Sequence, residues 1–141
     1  MTVKHIIFDV NVLAIFPQTE NFFKIACNSS MGTAAYIRSH CVPRTDIFYL
    51  LELIRRKRIE FIVLSKRPAC DGLVLAAFGL TYGRIIFSLD EIEDDTSDYG
   101  YVTTLTKDRE IARARGFRAV RFVPGIGQDT CEVLALAGYR K

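Results

Sequence analysis

His5-Ile6-Ile7-Phe8-Asp9-Val10-Asn11-Val12-Leu13 is the stretch from which the fold is read. An apolar run that stops at a carboxylate has the pattern of a buried strand, with Asp9 delivered at its C-terminal end. In an open α/β sheet, ligands sit beyond the carboxyl ends of the strands, so an acid one step past Phe8 points to a metal or phosphate crevice. The plainer alternative makes Asp9 a turn cap, with Asn11 beside it as a turn former. The recurrence of the pattern downstream favours the first: Ile59-Glu60-Phe61-Ile62-Val63-Leu64 is a second mostly apolar run, ending at Ser65-Lys66-Arg67.

Working outward, strand and helix signals alternate. Two short helices are predicted over 21–27 and 32–39. Thr45 or Asp46 can cap a helix with apolar positions Ile47, Phe48, Leu50, Leu51, Leu53 and Ile54, and cations gather at its C-terminal end. A helix over 71–78 is closed by Gly79, and a strand over 84–88 follows. After an acidic segment come a short strand over 101–104, a helix over 108–115 stopped by Gly116, a strand over 118–123 and a helix over 129–137. This alternation predicts right-handed crossovers and an α/β, three-layer Rossmann-like domain with a mostly parallel central sheet.

Composition bounds the function. The chain has 141 residues, half of them hydrophobic, which suits one domain with an ample core. A net charge of +3 is too mild to argue for nucleic acid by itself. Arg55-Arg56-Lys57-Arg58 and the acids over 90–98 read as solvated surface. The four cysteines, Cys27, Cys41, Cys70 and Cys131, lack any metal-binding spacing, so free thiols and a cytoplasmic location are expected. No apolar run approaches the ~20 residues of a membrane span, so neither a span nor a charged-then-apolar leader is expected.

The order of parts resembles the haloacid dehalogenase-like (HAD) phosphatase superfamily, in which a hydrophobic strand runs into an aspartate. Thr45-Asp46-Ile47-Phe48-Tyr49-Leu50-Leu51-Glu52-Leu53-Ile54 followed by Phe61-Ile62-Val63-Leu64-Ser65-Lys66 is similar to the family's second motif. The segment from Ala77 to Ser88, and Lys107-Asp108-Arg109-Glu110-Ile111-Ala112-Arg113-Ala114-Arg115-Gly116, resemble the parts that follow. The resemblance covers most of the chain and implies a single capless HAD-like domain over 1–141. It also implies a Mg²⁺-dependent phosphohydrolase with Asp9 as a nucleophile that forms an aspartyl-phosphate. Asn11 falls where relatives carry a general acid and base, Ser65 and Lys66 where phosphate is bound, and Asp108, with Asp9, where the metal is held. The implied partner is a phosphorylated substrate or ligand, with an open site that also suits a macromolecular phosphate.

The chain departs from the pattern in three places. Asn11 has no proton to shuttle, a loss that typically costs ~10²–10⁴-fold. Thr104 stands where the first metal-binding acid of the fourth motif is expected, with Glu93, Asp94, Asp95 or Asp98 as possible rescuers. The helix that carries a lysine has no room over 92–101, leaving Lys66, Arg84 or Lys107 as substitutes. These departures make a catalytically impaired HAD-like binding or regulatory module the first alternative. The second is a PIN-like metal-dependent ribonuclease, whose opening Asp9-Val10-Asn11-Val12-Leu13 also resembles. There Asp9, Glu52, Asp95 or Asp98, and Asp108 form the acidic cluster, and nucleic acid becomes the partner.

Overall fold

The computed structural model describes residues 2–15, 22–40, 42–43, 47–65, 68–79, 82–122 and 127–139. In chain order the elements are β1 (His5–Asp9), α1 (Val10–Leu13), β2 (Ala14–Ile15), α2 (Phe22–Cys27), α3 (Thr33–His40), β3 (Val42–Pro43), α4 (Ile47–Arg56) and β4 (Glu60–Leu64). They continue with α5 (Pro68–Ala77), β5 (Arg84–Ile86), β6 (Tyr99–Thr103), α6 (Thr106–Ala114), β7 (Arg118–Arg121) and α7 (Gly127–Leu136). The main sheet has the order β5-β4-β1-β6-β7, and every neighbouring pair is parallel. β2 and β3 form a separate antiparallel pair, in register Ala14 with Pro43 and Ile15 with Val42.

The period of two along each strand sorts side chains into two layers. Ile6 and Phe8 of β1, Val63 of β4 and Val102 of β6 join one core with Leu50, Leu51 and Ile54 of α4, Leu75 of α5, and Val133 and Leu136 of α7. Ile7, Ile62, Ile86, Tyr99, Tyr101 and Ala119 point to the other face, where Ala112 of α6, Phe117 and Ile92 cover them. Strands covered on both faces need near-continuous apolar sequence, which is why β1 was legible as Ile-Ile-Phe. Phe22, Ala26 and Ile37 of α2 and α3 form a satellite cluster with Ala77 of α5.

The two layers are unequal. Between β5 and β6 the chain makes only two 3₁₀ turns, Leu89–Glu91 and Thr96–Asp98, so α6 shares its face with a loop. This agrees with the expectation that no helix fits over 92–101. α6 ends as expected at Gly116, which takes a left-handed φ of 92°, and α5 ends at Gly79 with φ 68°.

Several boundaries move. β6 starts two residues earlier than the sequence suggests because Tyr99 and Gly100 pair with His5 and Ile6 of β1. α1 and the β2–β3 pair had no sequence signal, since a four-residue turn and two-residue strands are too short for periodicity to show. The caps expected at Thr45 or Asp46, and the strand end at Val123, lie outside the described residues. Among the described residues, Cys27 and Cys131 are free thiols, and no helix is long and apolar enough to cross a membrane.

Candidate functional site

The strand order reverses beside β1. The chain steps outward from β1 to β4 to β5, then returns to place β6 on the other side of β1. Crevices in open α/β sheets form at such a switch point, beyond the strand C-termini. Asp9 closes β1 at this place, half-buried and on the same face as Ile7.

A cavity of about 200 Å³ opens there, lined by Asp9, Leu64, Phe87, Ser88, Leu89, Tyr101, Asp108, Ile111 and Arg115. Leu64 is the register partner of Asp9, and Tyr101 pairs with Ile7, one step below Asp9 on the same face. α6 supplies Asp108 and Ile111, and Arg115 caps its C-terminal end; the spacings of three and four place them along one side. The structure thus brings Asp9 and Asp108 to one cavity.

Tyr101 interacts with both acids. Its ring is buried and its hydroxyl hydrogen-bonds to Asp9 and Thr103. Burial raises its pKa well above the ordinary value, and the negative charges of Asp9 and Asp108 push it in the same direction. The phenol therefore stays a neutral donor to Asp9 across the physiological range. A raised folded-state value means that this contribution is complete below pH ~10, where the unfolded tyrosine ionises, and is lost as pH rises further. Tyr101→Phe is expected to flatten the alkaline loss of stability by up to about 1.4 kcal/mol per pH unit above ~10, read from urea unfolding between pH 9 and 11. An unchanged alkaline slope in the variant would contradict it.

The other expected residues are placed as follows. Ser65 follows β4, is 1% exposed, and donates its hydroxyl to the buried carboxylate of Asp71 on α5; it is not among the lining residues of the cavity. Asn11 lies on α1, two residues past Asp9, and its side chain lies outside the described part of the structure. Lys66 also lies outside the described residues. Thr104 directly follows β6. Arg84 lies at the opposite end of the strands, where it faces Glu60 at 3.5 Å and donates to the Tyr99 hydroxyl at 3.3 Å.

Of the acids of the nuclease reading, Asp9 and Asp108 share the cavity, and Glu52, Asp95 and Asp98 are not among its lining residues. Glu52 lies on α4 against the other face of the sheet, with Arg55 and Arg56 at 3.8 and 3.6 Å. Asp98 precedes β6 at the N-terminal end of the strands and pairs with Lys4 at 3.7 Å. Asp95 caps the second 3₁₀ turn by accepting from the Ser97 amide at 3.0 Å. Among the described residues no group of three His, Cys, Asp or Glu side chains gathers as a metal cage.

Sequence reasoning missed Tyr101, Arg115 and the rim at Phe87. The first two had usable signals. Tyr99 and Tyr101 alternate on one strand face, and Arg115 stands seven residues after Asp108, two helical turns along the same side. Phe87 had none, because its place depends on where the loop after β5 lands. No family model matches the chain, and no curated protein matches it.

Proposed function

We propose that this chain is a Mg²⁺-dependent phosphohydrolase of the HAD-like kind, with Asp9 as its nucleophile. The observation that carries the reading is the convergence of Asp9 and Asp108 on one cavity at the switch point of a parallel sheet, with neutral Tyr101 against Asp9. A magnesium ion fits this donor set, since it is commonly held by one or two carboxylates and completes its shell with waters and substrate phosphate. Asp9 and Asp108 would hold it, and bound there it would offset charge on the phosphoryl oxygens.

The chain's own residues do the rest. Tyr101 orients the Asp9 carboxylate by its hydrogen bond. An oxygen of Asp9 attacks phosphorus; the bond to the leaving oxygen breaks, and that oxygen departs with the electron pair and takes a proton from water. Water then attacks the phosphorus of the aspartyl-phosphate, releasing inorganic phosphate and restoring the carboxylate. Asn11 supplies no proton to the leaving group, so esters of acidic alcohols react best.

The test is hydrolysis of an aryl phosphate by the full chain over a magnesium titration. Asp108→Asn is expected to raise the magnesium concentration for half-maximal rate by about tenfold or more, because one of two charged oxygen ligands is lost. No magnesium-dependent turnover in the native chain, together with tight binding of a phosphate analogue, would favour the impaired binding module, for which Asn11 and Thr104 speak. Cleavage of single-stranded RNA that disappears in Glu52→Gln would favour the PIN-like ribonuclease.

A further inference from the structure

The cavity holds one feature that the proposed reaction has not used. Arg115 is the cationic side chain among its described lining residues, which also include the carboxylates of Asp9 and Asp108. Its backbone is fixed: the Thr96 hydroxyl donates to the Arg115 carbonyl at 2.9 Å, and Gly116 turns the chain away in a left-handed conformation. A Cβ at Gly116 would come within 2.5 Å of Thr96 Oγ1, so the turn and its contact depend on glycine.

The guanidinium pairs with Asp90 on the loop after β5. That loop is itself held in shape, because Ser88 Oγ accepts from the Asp90 amide at 3.1 Å while Glu91 accepts from the Ser88 amide at 3.0 Å. Asp90 is thus presented by a fixed turn. The pair is exposed, at 41% for the Arg115 side chain and 76% for Asp90, and exposed pairs of this kind contribute little. A phosphoryl group, with more charge and a geometry that accepts both arms of the guanidinium fork, is the stronger partner.

The same cavity has an apolar rim. Phe87 and Ile111 line it, yet 55% and 48% of their surface is exposed, and Leu64 and Leu89 lie beside them. A bare inorganic anion would leave that surface in water.

We propose that Arg115 grips the phosphoryl group of the ligand by exchanging Asp90 for it, and that Phe87 and Ile111 favour phosphate esters of aromatic alcohols over alkyl ones. The inference rests on the reading of this cavity as a phosphate site, and it is tested by binding alone. The experiment is a ³¹P NMR titration of the full chain, with magnesium, using phenylphosphonate and methylphosphonate, which do not turn over. Phenylphosphonate should bind about tenfold more tightly than methylphosphonate, in keeping with burial of one ring face.

Arg115→Ala should weaken both ligands by about thirtyfold or more, and Arg115→Lys should fall between, keeping charge but losing the fork. Asp90→Asn should tighten both about threefold by removing the competitor. Phe87→Ser should erase the preference for the phenyl ligand while leaving methylphosphonate unchanged. Equal binding by Arg115→Ala and the native chain overturns the proposal, as does weakening by Asp90→Asn, which would mark the pair as a structural brace. If hydrolysis is lost in Asp9→Asn while Arg115→Ala binds normally, the grip fails and the phosphohydrolase reading stands. If Arg115→Ala loses binding but hydrolysis is absent in the native chain, the grip stands and the reaction fails.

Discussion

Asp9→Asn should abolish magnesium-dependent hydrolysis of an aryl phosphate, lowering kcat by about 10⁴-fold or more, because an amide cannot form the covalent intermediate that splits the displacement into two steps. The fold should survive, since Asp9 is half-buried at a strand end and Asn is nearly isosteric. Near-UV circular dichroism and the urea midpoint check that point. Residual hydrolysis within tenfold of the native chain would remove Asp9 from the nucleophile's role.

The companion variant is Asn11→Asp. It places a proton donor two residues after the nucleophile, where the resemblance expects one, and should raise turnover of alkyl phosphates by about 10²-fold. Aryl phosphates, whose leaving oxygen needs less help, should gain little. An equal gain on both ester types would mean that proton delivery does not limit the native chain.

Ser65→Ala is expected to act on stability and not on catalysis. Ser65 is buried and donates to a carboxylate that is itself 1% exposed, so removing the hydroxyl deprives a buried charge-bearing group of a donor. The expected cost is about 1–3 kcal/mol, measured as a lowered urea midpoint with unchanged slope, while KM stays within about twofold. The opposite result, unchanged stability with a KM raised severalfold, would return Ser65 to the phosphate-binding role that its position after β4 suggests. The same structural contrast explains why the sequence could not choose. A serine at a strand end reads identically whether its hydroxyl meets a ligand or a carboxylate six residues on, and the choice is made by the path of the chain from β4 into α5.

The elements were legible wherever burial imposed a period. β1 and β4 show as apolar runs because both faces of a central parallel strand are covered, and α4 and α6 show as helical repeats with glycine or cations at their ends. β5 was overrun by two residues, since Phe87 and Ser88 continue the local pattern but leave the sheet to form the rim of the cavity. The short β2–β3 pair was invisible, because two residues carry no period.

The sequence by itself determined the class of fold, the delivery of Asp9 at a strand end and the helix that carries Asp108 and stops at Gly116, for these follow from spacing along the chain. Only the tertiary structure decided that Asp9 and Asp108 share a cavity, that Tyr101 interacts with both of them, and that Ser65 turns to Asp71. The reason is physical. Spacing fixes which side of an element a residue occupies, whereas the order β5-β4-β1-β6-β7, set by how the strands pack, fixes which ends and sides meet.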